Sequence, residues 1–155
     1  MKIVEVTGLT LDQKQSLFEL WNLEYPESIC YKVLSDFESY LDGLSKTNHF
    51  LLINDQNQLK GWAFTFFREE EDWFAIILNS NIHGKGFGTF LLNELKISKS
   101  NLNGWVVDHQ NDKKQNKDTY FSPLDFYIKN GFKVNQNIRL ENNYISAVKI
   151  SWIRE

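Results

Sequence analysis

Glycine alternates at Gly84, Gly86 and Gly88, with Lys85 between the first two and His83 just ahead of them. Glycine has no Cβ, so a bulky anion can approach its main chain, and a positive φ costs it little. The run Ile76-Ile77-Leu78 before the glycines is apolar, and an amphipathic segment follows from Phe87. A strand that turns on glycines into a helix aims free backbone N–H groups, and the positive end of the helix dipole, at one point. The chemistry this predicts is anion binding, phosphate above all. The candidate binding residues are His83, Gly84, Lys85, Gly86, Phe87, Gly88 and Thr89 on the turn. The bland alternative is an ordinary strand-to-helix turn. The spacing is not that of a P-loop, which needs Gly, four residues, then Gly-Lys-Ser/Thr. Nor is it that of a dinucleotide fingerprint, whose third glycine comes one residue later.

The second chemical segment is Phe126-Tyr127-Ile128-Lys129-Asn130-Gly131-Phe132. On its own Tyr127 reads as a packing ring beside Phe126 and Phe132. Asp108 and His109 follow the apolar run Trp105-Val106-Val107, which makes Asp108 a candidate general base or simply a polar strand end. The acidic stretch 69–72 reads as a solvated turn. His49, His83 and His109 have no metal-ligand spacing, and Cys30 is the sole cysteine, so neither a metal site nor an intrachain disulfide is expected.

These groups need a scaffold, and the hydrophobic pattern supplies one. A strand is expected over 3–6. Thr10 can cap a helix starting at Leu11, with Leu17, Leu20 and Trp21 on one stripe, ended by Pro26. A second helix is expected over 31–44. Strands follow at 50–53, 59–67 and 73–78, separated by polar turns at 54–58 and 68–72. A helix over 88–96 leads to a strand at 105–108. The segment 109–119 is polar and irregular, and Lys113, Lys114 and Lys117 within it read as solvated or as contacts for a phosphate. A short helix over 123–130 stops at Gly131, a C′ position. Strands at 132–134 and 144–152 close the chain. The order β-α-α-β-β-β-α-β-α-β-β predicts a mixed α/β domain over residues 1–155.

Composition bounds the partners. Hydrophobic residues are 42% of the 155, enough for a real core, and the 12 Phe and 5 Trp make it rich in rings. Among them Trp21, Tyr25, Trp62 and Trp73 are core residues or the lining of a pocket. The net charge of −3 argues against a nucleic-acid partner, which calls for a basic face. No run approaches the ~20 apolar residues of a membrane span, and Met1–Val6 lacks the apolar core of a signal peptide. A cytoplasmic protein without a membrane partner is expected.

The glycine segment resembles motif A of the GNAT superfamily of N-acetyltransferases. That motif has Gln or Arg, two residues, Gly, any residue, then Gly or Ala; here His83 stands at the Gln/Arg position. The segment 126–132 is similar to the superfamily's second hallmark, Phe-Tyr, three residues, Gly-Phe. The resemblance implies a GNAT-like domain: a twisted mixed sheet of about six to seven strands, splayed between strands 4 and 5 and flanked by about four helices. It implies acetyl-CoA as acyl donor, its pantetheine along 76–78 and its diphosphate on 83–89. Tyr127 would face the sulfur and protonate the leaving thiolate. An amine acceptor would attack directly in a ternary complex. The resemblance allows a homodimer. A non-catalytic CoA-binding sensor is the competing reading.

Overall fold

The computed structural model describes residues 1–155. Strand β1 (Lys2–Val6) leads into helix α1 (Leu11–Glu24), and a 3-10 turn (Glu27–Ile29) precedes helix α2 (Leu34–Asp42). The Thr10 side chain accepts from the Gln13 N–H while the Gln13 side chain accepts from the Thr10 N–H. This reciprocal box satisfies two of the free donors at the start of α1. Three strands follow: β2 (Ser45–Ile53), β3 (Leu59–Arg68) and β4 (Glu71–Leu78). A 3-10 turn (Ser80–Ile82) and the glycines lead into α3 (Phe87–Ser98). Strand β5 (Asn101–Val106), helix α4 (Leu124–Lys129) and strands β6 (Lys133–Glu141) and β7 (Ser146–Ile153) complete the chain.

One seven-stranded sheet runs β1-β2-β3-β4-β5-β7-β6. Every neighbouring pair is antiparallel except β4 and β5, which are parallel and pair at a single position, Trp73 with Asn103. Beyond that position the two strands separate. The edge of β4 from Phe74 to Leu78 therefore has no ladder partner on that side, which is the splay that the resemblance implied. No helix is long and apolar enough to cross a membrane.

Strand alternation divides the core between the two faces. Trp62, Phe64, Phe66, Trp73 and Ile77 face α1 and α2, packing on Leu17, Leu20, Trp21, Phe37 and Leu41. Ala63 and Phe74 face the other way, against Leu91, Leu92 and Leu95 of α3 and Tyr127 of α4. Each of those fully buried leucines contributes about 1.5–3 kcal/mol of transfer free energy, which anchors α3 and with it the glycine turn.

The element order is as expected, and several boundaries move for physical reasons. Helix α2 starts at Leu34 rather than Tyr31 because the chain stays extended at Cys30 and Val33. The β3–β4 turn is tight: Glu69 and Glu70 take φ of 53° and 64°, so β4 already begins at Glu71. The fifth strand covers Asn101–Val106, not 105–108, so Asp108 lies beyond its end. Strand β6 extends to Glu141 and not only to 134. Its polar residues suit an edge strand facing water and left no apolar pattern to read.

Candidate functional site

The apex of the splay is held by asparagine side chains. Asn101 Oδ1 accepts from the Asp72 N–H at 3.2 Å, and Asn103 Nδ2 donates to the Asp72 carbonyl at 3.1 Å. Asn103 is buried, and its Oδ1 accepts from Ser151 Oγ at 2.7 Å. Buried amides held this way pin β4 to β5 where main-chain pairing stops. Sequence reasoning missed both, because asparagine is depleted in strands and 101–104 carries no apolar alternation.

Two cavities open along the free edge of β4. The first, about 720 Å³, reaches from the β3–β4 hairpin past Trp73, Phe74, Ala75 and Ile76 to Tyr127. The second, about 510 Å³, continues past Ile76, Ile77 and Leu78 to His83, Gly84, Gly86, Phe87, Gly88 and Thr89. Tyr25, Ile76, Tyr120, Pro123 and Tyr127 border both. The strand residues, the turn and Tyr127 are thus brought to one continuous cleft. Lys85 alone of the turn lies off its lining and is exposed.

At the turn, Gly84 and Gly86 have φ of 73° and 86°. A Cβ placed on either would meet nothing within 4 Å, which leaves open space in front of the main chain. The N–H groups from Gly84 through Thr89 have no acceptor within the protein; the first bond of α3 runs from the Phe90 N–H to the Gly86 carbonyl. Gly86 caps the helix with no side chain to satisfy these donors. Such a row of free donors at a helix start has the geometry and dipole that favour an anion. Gly88 does something else. Its Cβ would lie 2.9 Å from Cζ of Phe126, so this glycine lets α3 and α4 touch. The His83 side chain turns back to the Leu78 carbonyl, its Nε2 at 3.0 Å, and braces the turn against the end of β4.

Tyr127 sits at the junction, 6% exposed, its ring 5.7 Å from that of Phe74 and 5.5 Å from that of Phe132. Burial pushes its phenol well above the ordinary tyrosine range, and that of Tyr25 likewise; burial raises Tyr120 to about 12. These groups are therefore proton donors at any physiological pH. No hydrogen bond contributes to any of these shifts.

Asp108, the candidate base, is engaged by another side chain. Arg139 on β6 grips it with two parallel bonds, Nη1–Oδ2 at 2.9 Å and Nη2–Oδ1 at 3.0 Å, and Glu141 holds the same guanidinium. The Arg139 bonds hold the Asp108 carboxyl below its ordinary range, which makes it a weak proton acceptor. Asp108 also lines neither cavity. Its partner lies on the part of β6 that the sequence concealed.

Glu24 is a buried carboxylate that sequence reasoning did not single out. Its oxygens take the Ser80 N–H at 2.8 Å and Lys114 Nζ at 2.9 Å. It thus ties the turn before the glycines and the irregular loop to the end of α1. Lys114 borders the second cavity but is committed to Glu24, while Lys117 pairs with Glu27. Trp21, Tyr25 and Trp73 line the first cavity as one of their two readings had it, whereas Trp62 is wholly core. Among the His, Cys, Asp and Glu side chains there is no metal-binding cluster.

No protein-family model and no curated protein sequence matches the chain. Solved structures do. An aminoglycoside 6'-N-acetyltransferase complexed with coenzyme A superposes with a TM-score of 0.73 at 16% identity, over 99% of this chain and 97% of that one. A ribosomal-protein-alanine N-acetyltransferase from Brucella melitensis gives 0.65 at 17% identity, over 99% of both chains. A GNAT superfamily phosphinothricin acetyltransferase from Sinorhizobium meliloti, in complex with AcCoA, gives 0.66 at 11% identity, over 99% and 89%. The chain has the fold of the GNAT N-acetyltransferases.

Proposed function

We infer that this GNAT-fold chain, acting over residues 1–155 as one domain, is an acyl-CoA-dependent N-acyltransferase that moves an acetyl group to a primary amine. One observation carries the reading. The unpaired edge of β4 joins a turn of free N–H groups at one end to a buried, protonated tyrosine at the other. Acetyl-CoA has the complementary order of parts: a diphosphate, an extended amide-bearing arm and a thioester. Two solved structures of this fold hold CoA or AcCoA. The sole cysteine, Cys30, is a free thiol, which is compatible with the reducing cytoplasm.

In this reading the N–H groups of Gly84–Thr89 receive the diphosphate, with Lys85 and His83 at its rim. Main-chain groups of Ile76, Ile77 and Leu78 pair with the pantetheine amides as an added strand would. The acceptor amine must be neutral to attack, whereas a free amine near pKa ~10 is protonated at neutral pH. The apolar walls of the first cavity oppose the charged form and favour loss of that proton to water. The amine nitrogen bonds to the acyl carbon, an N–H of the β4 edge stabilises the oxyanion, and the carbon–sulfur bond breaks. The attacking nitrogen, cationic once bonded, loses a proton to solvent, while Tyr127 gives its own to the departing sulfur and is reprotonated from solvent, so the products are an amide and free CoA thiol. General acid assistance of this type is typically worth about 10²–10⁴ in rate.

Isothermal titration with acetyl-CoA, against inorganic phosphate and ADP, tests the binding step. Selective acetyl-CoA binding that Gly86→Glu abolishes is expected, followed by thiol release with an amine. Absence of selective binding overturns the reading. Binding with no turnover on any amine moves the chain to the sensor alternative.

A further inference from the structure

The first cavity carries information about the acceptor that the fold does not. Most of its lining is apolar, and its rings form a nearly continuous wall: Trp21, Tyr25, Tyr40, Trp73 and Trp105. Glu69 is the only carboxylate on it. A polycation would need several carboxylates to replace its lost hydration, because burying an unpaired charge is costly. The cavity instead presents a cation. Arg68 lines its hairpin end, with its guanidinium 4.6 Å from the Trp73 ring centroid and 5.2 Å from that of Phe66. No ion pair of the protein includes Arg68, not even with the adjacent Glu69. The nearby Lys149, also over the Trp73 ring, is already neutralised by Glu71 at 2.9 Å. An exposed guanidinium lying over two rings is oriented in advance and keeps N–H groups available for a carboxylate.

Arg68 and Tyr127 lie at opposite ends of this space. Arg68 pairs across the hairpin with Glu71, and Tyr127 meets Phe74 edge-on, three residues further along β4. At a strand rise of ~3.3 Å per residue those two β4 positions are about 10 Å apart, with Arg68 on the Trp73 face of the strand and Tyr127 on the Phe74 face.

We propose that the acceptor is a monoamine with an apolar, ring-bearing body and a carboxylate remote from the amine. The amine lies at Tyr127, the ring between the cavity tryptophans and tyrosines, and the carboxylate on Arg68. This deepens the acyltransferase reading and rests on it. It sets this chain apart from structures of the same fold that are named for an aminoglycoside or for spermidine.

Thiol release with acetyl-CoA tests the proposal on four amines: 4-(2-aminoethyl)benzoate, 2-phenylethylamine, spermidine and an aminoglycoside. The benzoate carries its amine and carboxylate at opposite ends of one ring. It should exceed 2-phenylethylamine in kcat/KM by about ten-fold, the worth of one charge-assisted contact, and both should exceed the polycations. Arg68→Gln should collapse the ratio between the two aromatic amines to near one, chiefly through KM, and Arg68→Lys should restore much of it. Preference for spermidine or the aminoglycoside, or no advantage from the carboxylate, overturns the proposal while the acyltransferase reading stands. Acetyl-CoA binding with turnover of none of the four also counts against it. Failure to bind acetyl-CoA removes the reading underneath.

Discussion

The ring of Phe126 occupies the place a side chain on Gly88 would need, with Cζ 2.9 Å from the position of a Cβ. The two segments legible in the sequence as separate motifs are thus one packing unit: the glycine turn is aligned by contact with the helix that carries Tyr127. Gly88→Ala should cost about 1–3 kcal/mol through overpacking. Phe126→Leu in the same chain should recover part of that loss. A double-mutant cycle in denaturant measures the coupling; additive effects would mean the contact is not tight.

Tyr127→Phe removes the hydroxyl and keeps the ring among Phe74, Phe126 and Phe132. Acetyl-CoA affinity should stay within about two-fold while kcat falls at least about 10²-fold. Because burial holds the phenol well above its usual range, the wild-type rate should show no loss from tyrosine ionisation up to about pH 10. A descending limb near neutral pH that disappears in Tyr127→Phe would contradict this.

Asp108→Asn should leave the ascending limb of the pH–rate profile in place, because Asp108 is bonded to Arg139 outside the cleft. The expected loss is a small one of stability, as for partly exposed ion pairs generally. A shift of that limb in the variant would return Asp108 to the role of base.

Asn103→Ala deletes the amide that joins Asp72 to Ser151. Leaving those groups unpaired in a buried place should cost about 1–3 kcal/mol. Hydrogen exchange should quicken at the apex of β4 and β5 before it does in β2 and β3. Uniform change across the sheet would deny the apex any special role.

His49 is buried, and its Nδ1 accepts from Trp62 Nε1 at 3.1 Å. Burial lowers its pKa to about 4. The unfolded chain, with the ordinary value near ~6.5, takes up the proton first as pH falls. Above about pH 7 His49 therefore adds no pH dependence; between about 6.5 and 4 stability declines, by about 3 kcal/mol at the lower end. His49→Gln keeps an acceptor for Trp62 and should remove this part of the acid sensitivity. Denaturant titrations of both proteins at pH 7.5 and 4.5 compare the slopes.

Local signals carried most of the scaffold. The capping box at Thr10, the Leu17, Leu20 and Trp21 stripe, the apolar β4 and the glycine turn are each written within a few consecutive residues, where periodicity and turn chemistry operate. The polar strands were less visible. Asn101 and Asn103 in β5, and the residues past 134 in β6, owe their strand conformation to neighbours far along the chain.

The sequence alone determined the glycine turn, the tyrosine beside it and the order of elements, because main-chain geometry at glycine and the spacing of apolar side chains are local properties. Tertiary structure alone decided what surrounds them. Arg139 reaches Asp108 from a strand 31 residues away and occupies its carboxylate. Glu24 meets Lys114 across 90 residues to fix the loop over the cleft. Arg68 faces a wall of rings drawn from α1, α2, β4 and β5. Charge pairing and cavity lining depend on which distant segments the sheet brings together, and no spacing along the chain encodes that.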